Sequence, residues 1–288
     1  MSRRAGISPE DDRRWVFNRL EEDYRARPAY PAALVDRLTV LAGGPGARVA
    51  DLGAGVGHLA VPLAARGLRV AAVEPARAML AALSEAAGTA SVEVDPAHAA
   101  AEATGLPDRS FALVVIADAL QWIDPEAGAA EVRRLLAPGG VLAVVTARPA
   151  GTPFLDALGT RIAARNPKAR PHPPPVALFF SLAGLPPPCV EAIDDPELPL
   201  DPAALEAVLR SLSYVGPALG PASLATLLEE ARALAAEHGG ATWRRELRVA
   251  WARGGSSPTT LERSRTPSRI ARRRGPTPRS AARHQRVK

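Results

Sequence analysis

The chain has 288 residues, 47% of them hydrophobic, and 36 basic against 30 acidic side chains; that is enough for one large core or two small ones, and no uninterrupted apolar run is long enough to span a bilayer. A single cysteine, Cys189, excludes an internal disulfide and a cysteine-built metal site, and the basic N-terminus has no apolar segment behind it, so no secretory signal and a cytoplasmic setting are expected. The net charge of +6 is uneven: residues 255–288 hold ten Lys/Arg against Glu262, which leaves 26 basic and 29 acidic groups, a net of −3, so a basic-domain argument for nucleic acid fails for the body.

In chain order, residues 1–14 are polar and expected to be loose. Trp15–Tyr24 reads as a short amphipathic helix, and the prolines of Tyr24–Pro31 favour an extended segment. Ala32–Ala42 has helical periodicity through Leu34, Val35, Leu38 and Leu41. After a glycine-proline turn, β and α segments alternate: strand 48–53, helix 57–66, strand 69–74, helix 76–87, a weak strand at 91–94, strand 111–117, helix 125–136 and strand 140–146. The strands are nearly continuous in Val, Ala, Leu and Ile, as suits a parallel sheet buried on both faces. Repeated β-α units predict an α/β fold with a doubly wound sheet and ligands at the carboxyl ends of its strands.

Residues 151–200 break this rhythm. A helix-like piece, Phe154–Ala164, precedes the prolines at 167, 171, 173, 174 and 175 and those at 186–188, too dense for regular ladders. The segment reads as a substrate cover inserted after the fifth strand. Cys189–Ile193 is a predicted sixth strand, 201–212 and 221–237 are helical, and Thr242–Gly254 alternates as a last strand. Residues 255–288 lack apolar periodicity and are expected to be disordered. The folded domain is therefore placed at 15–254.

The chemistry concentrates in Arg48–Ala60, RVADLGAGVGHLA. Gly53, Gly55 and Gly57 alternate, so the backbone can approach a ligand where no Cβ fits. Glu74 ends the next strand, 21 positions after Gly53, about the spacing that holds a ribose. A dinucleotide loop, G-x-G-x-x-G, would need glycine at position 58, which is His58. The run is instead D-x-G-x-G-x-G; Asp51 would repel a pyrophosphate and suits a cationic amine. An NAD-dependent oxidoreductase is thus the weaker reading of the loop.

This run resembles motif I of the class I S-adenosylmethionine-dependent methyltransferases. AAVEPARAML resembles their following segment, and AAEATGLPDRSFALVVIADALQWID their A-E-x-x-x-L-P-x-x-S-F-D-x-V pattern, with Ala112 for the usual Asp and Gln121 for a common His before Trp122. LLAPGGVLAVV resembles their fifth strand, with Pro138-Gly139-Gly140 as a turn. The resemblance implies a Rossmann-like, mostly parallel seven-stranded sheet with an antiparallel last strand. It implies a cofactor site of Asp51, Gly53, Ala54, Gly55, Gly57, Glu74, Pro75, Met79, Glu102, Ala103 and Asp118, with Glu74 on the ribose, Met79 on the adenine and Glu102 and Ala103 at its edge. YRARPAYP, Gln121-Trp122 and RSLSYVGPALG are similar to the small-molecule branch that includes trans-aconitate methyltransferase-like proteins.

Methyl transfer from a sulfonium is an in-line displacement that needs no metal, and a base only when the acceptor must lose a proton. Asp118, Gln121 and Tyr30 are the catalytic candidates by position, although Gln121 cannot act as a base. Tyr24, Arg27 and Trp122 are the substrate-binding candidates. His58 is expected to be a solvated residue, and the scattered histidines form no metal-ligand spacing. The expected acceptor is a small molecule. The alternatives are a catalytically silent S-adenosylmethionine-binding protein and a nucleic-acid methyltransferase. The second lacks a (N/D/S)-P-P-(Y/F) segment, the corresponding place reading ADALQW. The basic tail suits nonspecific contact with nucleic acid.

Overall fold

A computed structural model of the chain describes residues 17–149, 151–167 and 175–255. The expectations for residues 1–14, the prolines at 171–174 and residues 256–288 lie outside them. A single turn at 17–19 leads into helix α1 (Glu21–Arg25), then α2 (Ala32–Ala42), β1 (Arg48–Leu52), α3 (Ala60–Ala65), β2 (Arg69–Val73), α4 (Arg77–Thr89), β3 (Val94–Ala97) and β4 (Phe111–Ala117). There follow α5 (Pro125–Leu135), β5 (Leu136–Pro149), α6 (Pro153–Arg165), α7 (Val176–Leu182), β6 (Cys189–Ile193), β7 (Leu198–Leu200), α8 (Pro202–Ser211), α9 (Pro221–Glu237), β8 (Ala241–Trp243) and β9 (Arg245–Arg253).

Seven strands form one sheet in the order β3-β2-β1-β4-β5-β9-β6. β1 to β5 pair in parallel, and β9 runs antiparallel to both neighbours. This is the expected α/β architecture with an antiparallel last strand. The order reverses between β1 and β4, the place where open sheets bind ligands. Side chains alternate between faces. Val49, Val70, Leu113 and Val115 pack with α2 and α3, whereas Ala50, Leu52, Val114 and Ile116 pack with α5 and α7. A third cluster, from α6, α8, α9 and β8, holds Phe154, Leu158, Leu205, Leu209 and Trp243.

Local chemistry explains the departures from expectation. The helix after the glycine loop begins at Ala60, not 57, because Gly55 (φ +56°) and Gly57 (φ +90°) are left-handed and cannot belong to a right-handed helix. The weak strand moves from 91–94 to 94–97, because Ser91 is also left-handed (φ +54°) and ends the α4 turn. β5 begins earlier than expected: Leu136 pairs with Phe111 across a register shift. Gly140 then passes where a Cβ would lie 2.9 Å from the Phe111 carbonyl oxygen. Helix α7 is not apparent from the proline-rich sequence; Pro175 stands just before its first turn, where proline is tolerated, and Phe179 and Phe180 are fully buried. The expected last strand is broken at Arg244 into β8, which pairs with β7 outside the main sheet, and β9.

Candidate functional site: a cavity at the carboxyl ends of the strands

The glycine loop is held by Glu74, at the end of β2. Its Oε2 accepts the Gly55 N–H at 2.9 Å and its Oε1 the Ala76 N–H at 2.9 Å. Burial pushes the Glu74 carboxyl above the usual range, and the two N–H donors oppose that shift. Each carboxylate oxygen keeps a further acceptor position, so the group can still receive a vicinal diol.

The three loop glycines have different reasons. A Cβ on Gly53 would lie 2.6 Å from the Ala119 Cβ, and one on Gly57 within 3.0 Å of Leu83; these two are glycine for packing. A Cβ on Gly55 would meet only the Tyr24 ring, at 3.7 Å, and Gly55 lines the cavity. Packing against the fold does not account for glycine at Gly55.

Asp51 lies near the end of β1 at 1% exposure, and neither carboxylate oxygen has a hydrogen-bond partner among the described residues. Burial, and then the negative charge of Glu74, push its pKa up to about 7. An unpaired buried carboxyl is costly unless a partner arrives.

The cavity measures about 1280 Å³. Its wall includes Gly53, Gly55, Glu74, Pro75, Met79 and Glu102. It also includes an apolar set, Leu155, Leu158, Ile162, Leu209, Leu212 and Trp243, from α6, α8, the turn after α8, and β8. Asp118 lines the same cavity, left-handed at φ +50°. Its Oδ2 accepts the Tyr30 hydroxyl at 2.8 Å and its Oδ1 the Ala147 N–H at 2.7 Å. Burial raises the Asp118 carboxyl, and these bonds together with Arg27 and Arg245 oppose the rise.

The segment around α1 covers the cavity. Arg27 lies over the Tyr24 ring at 4.0 Å, and Tyr24 stacks on His58 at 6.0 Å. The Arg27 Nε donates to Ser211 Oγ at 2.8 Å and its Nη2 to the Ser211 carbonyl at 2.7 Å, joining this segment to the end of α8. Phe17 meets Trp122 edge-on at 5.2 Å. Arg245 fixes the next stretch by donating to the carbonyls of Pro28 and Ala29 and to both oxygens of Asp195.

Of the residues singled out from sequence, Gly53, Gly55, Glu74, Pro75, Met79, Glu102, Asp118, Tyr24, Tyr30, Arg27, Gln121 and Trp122 all line this cavity. Asp51, Ala54, Gly57 and Ala103 stand outside its wall, the first beneath the loop; Ala101 lines it beside Glu102. Glu102 accepts the Asp124 N–H at 2.9 Å, and Gln121 donates to the Asp118 carbonyl at 2.7 Å. His58, expected in solvent, is in the cavity wall instead. There burial and Arg27 lower its pKa to about 4, so it is neutral at pH 7. Sequence reasoning missed Phe17, Tyr214 and the apolar wall; the apolar periodicity of 154–162 and 205–212 carries the only local signal for the last. Among the described residues no cluster of three His, Cys, Asp or Glu could hold a metal, and no helix is long and apolar enough to cross a membrane.

A family model described as a methyltransferase domain matches residues 50–144, the glycine loop through β5. Over 121 residues the chain is 40% identical to an uncharacterized methyltransferase of Mycobacterium tuberculosis (strain ATCC 25618 / H37Rv). The match takes in 42% of this chain and 47% of the relative, so the chain spans about half the length of the curated relatives it matches. A solved structure from Anaeromyxobacter dehalogenans, described as that of a type II methyltransferase, is similar at 28% identity and a TM-score of 0.55, over 80% of this chain and 97% of that one. Residues 50–144 thus match a methyltransferase domain, and the chain is similar to class I S-adenosylmethionine-dependent methyltransferases. Haemonchus contortus phosphoethanolamine N-methyltransferase 2, solved with phosphomonomethylethanolamine and S-adenosylhomocysteine, shares the fold at 17% identity (TM-score 0.54, 87% of this chain, 61% of that one).

S-adenosylmethionine is the cofactor of this class, and the residues present fit it. Asp51 is a buried carboxyl without a partner, suited to a cationic amine; Gly55 leaves open a place that a side chain would fill; Glu74 retains acceptors for a diol.

Proposed function

We propose that the protein transfers the methyl group of S-adenosylmethionine to a small-molecule acceptor seated against the apolar wall of the cavity. The observation that carries this reading is the cavity itself. At about 1280 Å³ it exceeds the roughly 300–1,000 Å³ of a site for one ligand, and it is lined both by Glu74 and Gly55 and by an apolar wall. In this reading Asp51, Gly53, Ala54, Gly55, Gly57, Glu74, Pro75, Met79, Glu102, Ala103 and Asp118 form the cofactor site, and Tyr24, Arg27 and Trp122 bound the acceptor. The bound cofactor supplies an electrophilic methyl group on a sulfonium. The chain's own part is positioning: the segment around α1 excludes water, the loop fixes one reactant, and the apolar wall fixes the other. Asp118, oriented by Tyr30 and the Ala147 N–H, is the group placed to take a proton from an acceptor that must lose one. A screen of metabolite pools with isotopically labelled S-adenosylmethionine tests the reading. A labelled small-molecule product is expected; cofactor binding with no product in any pool would favour a catalytically silent protein.

Cofactor affinity should depend on pH through Asp51. If the ionised form receives the amine, binding releases a proton below pH 7, and affinity for S-adenosylhomocysteine rises with pH. A carboxyl at about 7 goes from mostly protonated at pH 6 to mostly ionised at pH 8, so the gain is about tenfold. Titrations at the two pH values should show it in the wild type and not in Asp51→Asn. Equal slopes in both proteins would remove Asp51 from the site.

The basic run at 255–288 has, in this account, a separate role in nonspecific contact with polyanions. A chain ending at Gly254 is expected to keep its melting temperature and its affinity for S-adenosylhomocysteine while eluting from heparin at much lower salt. Unfolding or loss of binding on truncation would make the run part of the fold.

A further inference from the structure

The sheet face that packs on α5 and α7 changes character at one end. On β5 it runs Leu142, Val144, Thr146, Arg148, and the paired positions of β9 are Ala252, Ala250, Arg248 and Glu246. The first two pairs are buried, whereas Thr146, Arg148 and Arg248 of the last two line the cavity. Arg148 Nη2 donates to Glu246 Oε2 at 2.8 Å, and Arg248 Nη2 to Glu246 Oε1 at 2.6 Å. Two guanidinium groups thus share one carboxylate and leave a net positive charge at the rim, with further N–H donors on each. These side chains are 62% and 56% exposed, so an entering ligand can reach them. The other arginines of the cavity are committed elsewhere, Arg245 to Asp195 and two carbonyls and Arg27 to Ser211.

We infer that Arg148 and Arg248 form a subsite for a carboxylate on the acceptor, at the open end of the apolar wall. The acceptor is then an amphipathic carboxylic acid: its apolar body lies along residues such as Leu158 and Trp243, and its anionic end remains at the rim. Glu246 already demonstrates the fit, one carboxylate oxygen to each guanidinium, and the planar forks of arginine suit such a group. Holding the anion at the rim would fix how far the acceptor reaches toward Asp118. The inference rests on the proposed acceptor end of the cavity.

The test uses the full chain, first titrated with S-adenosylhomocysteine and then, saturated with it, with decanoate, decanol and decyltrimethylammonium by calorimetry. Decanoate is expected to bind at least about fivefold more tightly than decanol, as suits a partly exposed charge pair, with the ammonium weakest. The gap should narrow as salt is raised. It should vanish in Arg148→Gln/Arg248→Gln, whose melting temperature and affinity for S-adenosylhomocysteine remain those of the wild type. Equal binding of decanoate and decanol, tighter binding of the ammonium, a gap that survives the double substitution, or no binding of any of the three would overturn the inference. If the unaltered chain does not bind S-adenosylhomocysteine, the cofactor reading fails instead. The same comparison on the ligand-free chain then decides the subsite separately.

Discussion

Replacing Gly55 with valine is expected to reduce the binding of S-adenosylhomocysteine below detection while the fold survives. Gly55 has φ +56°, a conformation that costs an ordinary residue about 1–2 kcal/mol and a β-branched one more. Domains of this size are stable by about 5–15 kcal/mol, so that strain is tolerable. In the ligand-free protein the new side chain has room, since its Cβ would stand 3.7 Å from the Tyr24 ring. The space it takes is cavity space, between the loop and its cover, and a cofactor lying on the loop cannot share it. Gly53→Val separates the two effects: its Cβ would be 2.6 Å from Ala119, so this variant should lose stability as well as binding. Thermal melts beside calorimetric titrations distinguish them. Normal affinity in Gly55→Val would mean that the loop does not carry the cofactor.

Glu74→Ala is the second large effect. The carboxylate holds the loop through the Gly55 and Ala76 N–H groups and, in the proposed function, also accepts the ribose hydroxyls. Hydrogen bonds to a charged group are worth roughly 1.5–3 kcal/mol each, and a buried donor left unpaired costs about 1–3 kcal/mol. Since about 1.4 kcal/mol is a factor of ten, affinity for S-adenosylhomocysteine should fall at least about tenfold. Glu74→Gln should fall between the two proteins. Its amide oxygen can keep one N–H, but its amide nitrogen then faces the other donor. Unchanged affinity in Glu74→Ala would remove this residue from the site.

What the sequence made legible was local. The Val49–Leu52 and Phe111–Ala117 runs are continuous and apolar, and they became central strands. The spacing from Gly53 to Glu74 follows from one β-α-β unit, so the sequence itself sets both residues at the carboxyl ends of adjacent strands. The contacts that complete the site are between residues distant in the chain. Arg27 meets Ser211 184 positions away, and Tyr30 meets Asp118 88 positions away. Arg245 ties β9 to the Pro28–Ala29 carbonyls. No periodicity encodes such pairs, because each partner is compatible with many neighbours. Helix α7 was hidden for another reason: proline density argues against a ladder but not against a helix that starts just past the last proline. His58 was read as solvated from its place in the motif, whereas Tyr24, from a different segment, covers it.

The glycine loop and Glu74 are expected to receive S-adenosylmethionine rather than a dinucleotide. Calorimetric titration of the full chain with S-adenosylhomocysteine and, separately, with NAD tests this most directly. Saturable binding of S-adenosylhomocysteine at a single site, with no detectable binding of NAD, is the predicted result. Binding of NAD without binding of S-adenosylhomocysteine would contradict it.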